Sequence, residues 1–304
     1  MYPYVRLLNK NISTYGIVAF IGMLAAILYA FIVHKATKDK RDFFDRFIFI
    51  VYGTVFGAIG AGLFYQFTML KTNFDAVKHI FSDFHYFLEH FNWGLVFYGG
   101  MFGFYFGYMV YARYFKEDTR DWIRTSAAGF PLFHAFGRIG CTIGGCCFGK
   151  VIALQQTHFN KDLSIYDLGN APMFAHGGVY NARVGAYCIP IQLIEAAGIF
   201  AIFLIVLLYQ IVMKNKTAYY RPLGLYFVLY GILRFITEMW RGDLIRGIYG
   251  PFSFSQYISM FVIPLGLYCL FCPAKYNFLE KWYNGEQYRK KTSKEEQIEN
   301  GSEQ

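Results

Sequence analysis

The chain has 304 residues, of which 56% are hydrophobic and only 16% charged, and it carries a net charge of +9. A soluble domain holds roughly 25% charged residues, so this composition excludes an ordinary soluble globular protein and points to lipid as the solvent. The positive balance fits either nucleic acid or an anionic bilayer surface; long apolar runs decide for the bilayer, and no nucleic-acid partner is expected. Aromatic residues make up 21%, with 34 Phe and 26 Tyr, rings that suit buried packing and the two membrane interfaces.

A spanning helix needs about 20 mainly apolar residues. Seven runs qualify, at roughly 15–33, 47–67, 94–112, 126–148, 189–213, 222–240 and 254–272. The first is followed by His34-Lys35-Ala36-Thr37-Lys38-Asp39-Lys40-Arg41, a stop-transfer pattern without a small-residue cleavage site, so no signal peptide is expected. With the N-terminus outside, the cytoplasmic segments hold eighteen Lys and Arg and the outer segments nine, with Arg138 and Arg234 inside helices. That bias predicts an N-out, C-in topology. The fold class expected is all-α: a seven-helix membrane domain over 1–280 and a polar cytoplasmic tail over 281–304.

Two outer loops stand out. The one at about 70–93 carries His79, His85 and His90, and the one at about 149–188 is long and polar, sized for a small extracytoplasmic domain or a lid. Gly53 and Gly57, Gly99, Gly103 and Gly107, and Gly140 and Gly144 recur at four-residue spacing. Such small residues let helix backbones approach closely; the alternative is that some line a lipid-sized groove. Five of the six cysteines sit in or beside apolar segments, so they do not form a disulfide framework of the secreted type.

The residues that carry chemistry begin with Leu95-Val96-Phe97-Tyr98-Gly99-Gly100 in the third run. The segment from His134 to Gly149 is the strongest feature, because it puts Arg138 inside an apolar run. A charge there costs at least a few kcal/mol and usually faces a cavity, partner or ligand. His134 and Arg138 are i,i+4 neighbours and Cys141 follows at i+3, so one helix face presents imidazole, guanidinium and thiol. The alternative is an arginine snorkelling to the outer interface. Further on, Pro190-Ile191-Gln192-Leu193-Ile194-Glu195 opens the fifth run, where Gln192 and Glu195 suit packing or a helix start. Arg234, Glu238 and Arg241, followed by Asp243, share a face at the outer end of the sixth run. They read either as a structural ion pair or as a cationic pocket, since arginine's planar fork grips two phosphate oxygens at once. Ser255-Gln256 opens the last run, where Ser255 is placed to cap the helix.

In order along the chain, these residues resemble the prolipoprotein diacylglyceryl transferase family. The resemblance runs through Tyr15-Gly16, Ile59-Gly60-Ala61-Gly62-Leu63-Phe64-Tyr65, Gly94 to Gly100, Gly137-Arg138-Ile139-Gly140, the Pro-x-Gln-Leu-x-Glu run, Arg234-x-x-x-Glu238-x-x-Arg241-x-Asp243 and Ser255-Gln256. Each motif alone is weak to moderate; their ordered sum is strong for the fold. It implies a multi-pass protein of the bacterial plasma membrane with its active site toward the outer side. It implies transfer of a diacylglyceryl group from phosphatidylglycerol to the lipobox cysteine of a prolipoprotein signal peptide, among membrane lipids, with no metal or organic cofactor. Arg138, Arg234 and Arg241 then clamp the headgroup and departing phosphate, Glu238 orients them, and His134 or, less favourably, Tyr98 takes the thiol proton. Tyr15, Gly99, Gly100, Gly137, Gln192, Glu195, Asp243 and Gln256 are the expected substrate-binding positions.

Departures from the family pattern are also present. The family usually has Asn where Cys141 stands and Glu where Cys146 stands, often Arg at the place of Gly62 and His at that of Ile189, and in some members His at that of Tyr98. They leave the fold expectation intact and bear on catalysis. Three other functions remain open: a divergent paralogue acting on another phospholipid, a metal or redox site on Cys141, Cys146, Cys147 and a histidine, and a seven-helix transporter or receptor.

Overall fold

Among the described residues, long helices form at all seven places where the sequence predicts them. The protein is represented by a computed structural model that describes residues 4–7, 10–37, 43–68, 77–78, 81–83, 85–86, 94–115, 120–154, 174–175, 178–181, 185–213, 217–242, 248–273 and 276–279. The helices are α1 (Thr14–Thr37), α2 (Phe43–Thr68), α3 (Phe97–Phe115), α4 (Arg120–Gly144), α5 (Ile191–Met213), α6 (Arg221–Thr237) and α7 (Phe254–Phe271). A 3-10 turn at Glu238–Trp240 prolongs α6. Among the described residues, five segments, Thr14–Ala36, Phe47–Phe67, Ile191–Met213, Arg221–Trp240 and Phe254–Phe271, are long and apolar enough to cross a membrane by length and composition. Tyr and Gly dilute the hydropathy of α3, while Arg120, Asp121, Arg124, His134 and Arg138 dilute that of α4.

Short antiparallel strands supplement the all-α expectation. β1 (Tyr4–Leu7) pairs with β2 (Lys10–Ser13), and β7 (Ile248–Tyr249) with β8 (Phe252–Ser253). Within the loop expected at 149–188, β3 (Val151–Leu154), β4 (Phe174–Ala175), β5 (Gly178–Asn181) and β6 (Ala186–Cys188) form one sheet of order β3-β6-β5-β4. Pairing of this kind satisfies backbone groups that a loop beside lipid would otherwise leave bare. His79, His90, Asp243 and the tail 281–304 lie outside the described residues.

The chain divides into two units, Met1–Lys38 with Arg124–Cys272, and Asp39–Ile123 with Pro273–Gln304. In the second, α2 and α3 pack backbone to backbone. A Cβ on Gly60 would overlap the carbonyl oxygen of Gly99, and one on Gly103 that of Phe56, so the ladder of glycines serves close approach, as small residues do between membrane helices. Val96 donates its N–H to Ala61 O at 3.1 Å at the head of α3. Phe49 is fully buried, its ring 3.7 Å from Tyr108 and 4.1 Å from Trp122.

In the first unit, α6 and α7 meet at Gly224 and Gly266, where a Cβ on either would lie 2.8 or 2.7 Å from the other's carbonyl oxygen. Tyr29 Oη donates to Gln210 Oε1 at 3.1 Å, tying α1 to α5. The segment just after α4 is stitched to two other helix ends. Gly149 donates to Ile189 O at 3.2 Å, Ile189 to Lys150 O at 3.0 Å, Lys150 to Trp240 O at 2.9 Å and Gly242 to Phe148 O at 3.0 Å. These bonds fix the end of α4, the start of α5 and the end of α6 together. Large apolar side chains such as Phe20, Leu28, Leu208, Val212, Phe261 and Phe271 are exposed, as expected of helices whose solvent is lipid.

Candidate functional site: a buried arginine and carboxylate network

Glu195 is the sole charged residue of α5, and it stands at the centre of the site. Its Oε2 lies 2.9 Å from Arg138 Nε on α4, and its Oε1 lies 2.6 Å from Arg234 Nη1 on α6. Thr237 Oγ1 donates to the same Oε1 at 2.8 Å. Arg234 reaches a second carboxylate with its other nitrogen, Nη2 to Glu238 Oε2 at 2.5 Å, and Arg241 Nε lies 3.9 Å from that same oxygen. Helical spacing explains the second half of this chain: Arg234 and Glu238 are i,i+4, Glu238 and Arg241 i,i+3. All five ionic residues are buried, none more than 7% exposed. Their mutual attraction is therefore little screened by water.

Among the described residues, three guanidiniums share these two carboxylates. Guanidinium forks held in place by carboxylates are suited to a phosphate, and a water-poor setting strengthens that contact. Arg234 Nη2 also donates to Ser255 Oγ at 3.1 Å, so α7 joins α4, α5 and α6 in holding the group.

The remaining expected residues fall into three groups. His134 is buried one turn before Arg138, its ring edge-on to Tyr230 with centroids 4.9 Å apart. Tyr15 packs on the glycine face of α4, where a Cβ on Gly140 would lie 3.1 Å from its ring. Gly137, beside Arg138, has nothing within 4 Å of its Cβ direction. Gln192 and Gln256 serve the frame: Gln192 Nε2 donates to Cys146 O at 2.9 Å. Gln256 accepts from Ser253 N through Oε1 at 3.0 Å and donates through Nε2 to Phe235 O at 3.4 Å. Tyr98, Gly99 and Gly100 belong to the second unit; Tyr98 is buried, Gly99 faces Gly60, and Gly100 donates to Val96 O at 3.1 Å.

Sequence reasoning missed Thr237, Tyr230 and the true cap of α7. Ser253 caps that helix, its Oγ accepting from Gln256 N at 3.3 Å in a capping box, which frees Ser255 for Arg234. The signal was present: Ser253 stands three residues before Gln256, the spacing of that box.

A family model described as prolipoprotein diacylglyceryl transferase matches residues 4–272. The chain is 27% identical over 265 residues to the phosphatidylglycerol–prolipoprotein diacylglyceryl transferase of Clostridium tetani (strain Massachusetts / E88), covering 86% of this chain and 94% of that protein. It is 27% identical over 262 residues to transferase 2 of the same name from Clostridium perfringens (strain 13 / Type A), covering 86% and 91%. Against the Helicobacter pylori (strain J99 / ATCC 700824) protein of that name it is 26% identical over 281 residues, covering 87% and 90%. With the family model spanning helices α1 to α7 and the whole arginine and carboxylate network, this chain belongs to the prolipoprotein diacylglyceryl transferase family.

Proposed function

We propose that this protein transfers a diacylglyceryl group from phosphatidylglycerol to the lipobox cysteine thiol of a prolipoprotein signal peptide. We place it as a seven-span protein of the bacterial plasma membrane, N-terminus outside and C-terminus inside, with its site toward the outer face. Family membership and the names of the relatives support the reaction; the basic-residue bias supports the orientation. The observation that carries the mechanism is the buried network of Arg138, Glu195, Arg234, Glu238 and Arg241, three guanidiniums held in place by two carboxylates.

In this reaction the lipobox sulfur forms a thioether bond to the glyceryl carbon, and the bond from that carbon to the phosphate oxygen breaks. Glycerol phosphate departs with the electron pair, and the thiol proton passes to a base. Two demands follow. The thiol, with an ordinary pKa near 8.5, must give up its proton, and the negative charge gathering on the leaving phosphate must be stabilised. Arg138, Arg234 and Arg241 answer the second, with Glu195 and Glu238 fixing their orientation so that little reorganisation accompanies the reaction. His134 answers the first: it is one helical turn from Arg138 on the same face, and histidine is the side chain most often used as a general base. Tyr98 is the weaker candidate, since a phenol near pKa 10 is a poor base. Tyr15, Gly137 and Asp243 are assigned to substrate contact. Glu195, Gln192 and Gln256 act in this scheme by holding the arginines and the loop after α4.

The test is direct. Purified protein is mixed with phosphatidylglycerol and a lipobox peptide, and the peptide mass is followed. A diacylglyceryl mass shift is expected for the wild type and none for Arg138→Ala, although the variant still inserts. Full activity in Arg138→Ala would remove the clamp and favour a snorkelling arginine. A shift seen only with phosphatidylethanolamine in place of phosphatidylglycerol would favour the paralogue acting on another lipid.

A further inference from the structure

Three thiols converge where α4 ends. Cys141 projects from its last turn, Cys146 and Cys147 follow in the loop, and the three Sγ atoms all lie within 4.8 Å of one another. None is in a disulfide. We propose that Cys141, Cys146 and Cys147 form a three-thiolate site for a soft monovalent cation of the Cu(I) type.

The site is built by the fold. Gly145 and Cys147 both adopt left-handed backbone, at φ 68° and 56°. For Cys147, which carries a Cβ, that is a disfavoured conformation of the sort that surrounding structure must enforce. Asn181 Nδ2 donates to Gly145 O at 3.1 Å and Gln192 Nε2 to Cys146 O at 2.9 Å. Both side chains are buried, so β5 and α5 pin the loop from two sides. Cys146 N donates to Cys141 O at 3.2 Å, which folds the second thiol back over the first.

Donor set and size choose the ion. A metal bonded to three thiolates at about 2.3 Å in a trigonal plane sets the sulfurs about 4.0 Å apart, within the span observed. Zinc adds a fourth ligand, yet among the described residues no further Cys, His, Asp or Glu completes this group; it stops at three cysteines. In particular, His134 is not among them. Soft sulfur donors in a low-coordinate set suit Cu(I). Up to three thiol protons leave as three copper–sulfur bonds form, and no electron is transferred. Arg138, one turn before Cys141, offsets part of the negative charge that three thiolates and one monovalent cation leave behind.

Full-length protein, purified in detergent under reducing, anaerobic conditions and freed of metal, is titrated with Cu(I) against bicinchoninate. One tightly held equivalent per chain is expected. It should weaken at least ~10-fold in each of Cys141→Ser, Cys146→Ser and Cys147→Ser, vanish in the triple variant, and persist in Cys188→Ser. The wild-type chain gives a second readout that needs no variant: Cu(I) should slow alkylation of Cys146 and Cys147 while leaving Cys272 unchanged. Failure to hold Cu(I) against the chelator overturns the site, as does unaltered alkylation or an equivalent that survives the triple substitution. Preferential retention of Zn(II) overturns the choice of ion. These readouts follow metal and not lipid transfer, so they stand apart from the peptide assay.

Discussion

Removing Glu195 should harm the fold more than removing Arg138, although both changes should stop transfer. Glu195 touches Arg138 at 2.9 Å, Arg234 at 2.6 Å and Thr237 at 2.8 Å. In Glu195→Leu, Arg234 keeps Glu238 at 2.5 Å, whereas Arg138 loses the carboxylate it was paired with. Leaving a buried charge without its partner costs about 3–5 kcal/mol. In Arg138→Met, Glu195 keeps both Arg234 and Thr237, and only one charge-assisted contact is lost, roughly 1.5–3 kcal/mol. The double variant strands neither group, and exchanging a buried ion pair for apolar residues of similar volume is often close to neutral. Its cost should therefore fall short of the two single costs added together, by about 2 kcal/mol. Reversible unfolding of the purified variants in detergent, followed by tryptophan fluorescence, gives the four stabilities of the cycle. Additive losses, or an Arg138→Met chain less stable than Glu195→Leu, would refute the view of Glu195 as the hub.

His134→Ala should lower transfer by roughly 10²–10⁴-fold, the usual worth of a positioned base, while single serine substitutions at Cys141, Cys146 and Cys147 should each cost less than ~10-fold, since the transfer chemistry gives these thiols no part. The lipobox-peptide assay separates these, and an inert His134→Ala beside a dead Cys146→Ser would move catalysis to the thiols. Ser253→Ala removes the cap of α7 and should cost about 1 kcal/mol, read as a lower unfolding midpoint; Ser255→Ala should leave the capping box intact and affect transfer through Arg234, and equal loss of stability in both would contradict that division. Cysteine labelling in intact cells should find positions near 38, 118, 216 and 290 on the inside and those near 80, 165 and 246 on the outside. Two sites on the wrong side would end the N-out, C-in assignment.

What the sequence could reveal was whatever depends on neighbours in the chain. The helices were legible because a run of apolar residues declares itself within about 20 positions, and the pair Arg234–Glu238 because i,i+4 geometry is local. One boundary was misread for a local reason that was also available. The apolar stretch through Cys146, Cys147 and Phe148 extended the expected fourth helix to 148, yet α4 stops at Gly144. Gly145 takes φ 68°, and a left-handed glycine just past the last turn is how helices commonly end; this stop is what sets the cysteines in a loop instead of along a helix face. The strands after Lys150 gave no comparable signal, being two to four residues long in a polar loop. The role of Glu195 was the least legible of all. Its partners stand on α4 and α6, Arg234 being 39 positions away, and no periodicity reports a contact between helices. A sharper clue lay in composition: a lone carboxylate in a helix as apolar as α5 is costly in lipid, and its cost falls only if cations on other helices meet it. The chain holds two arginines within apolar runs, Arg138 and Arg234, and these are the two that Glu195 joins.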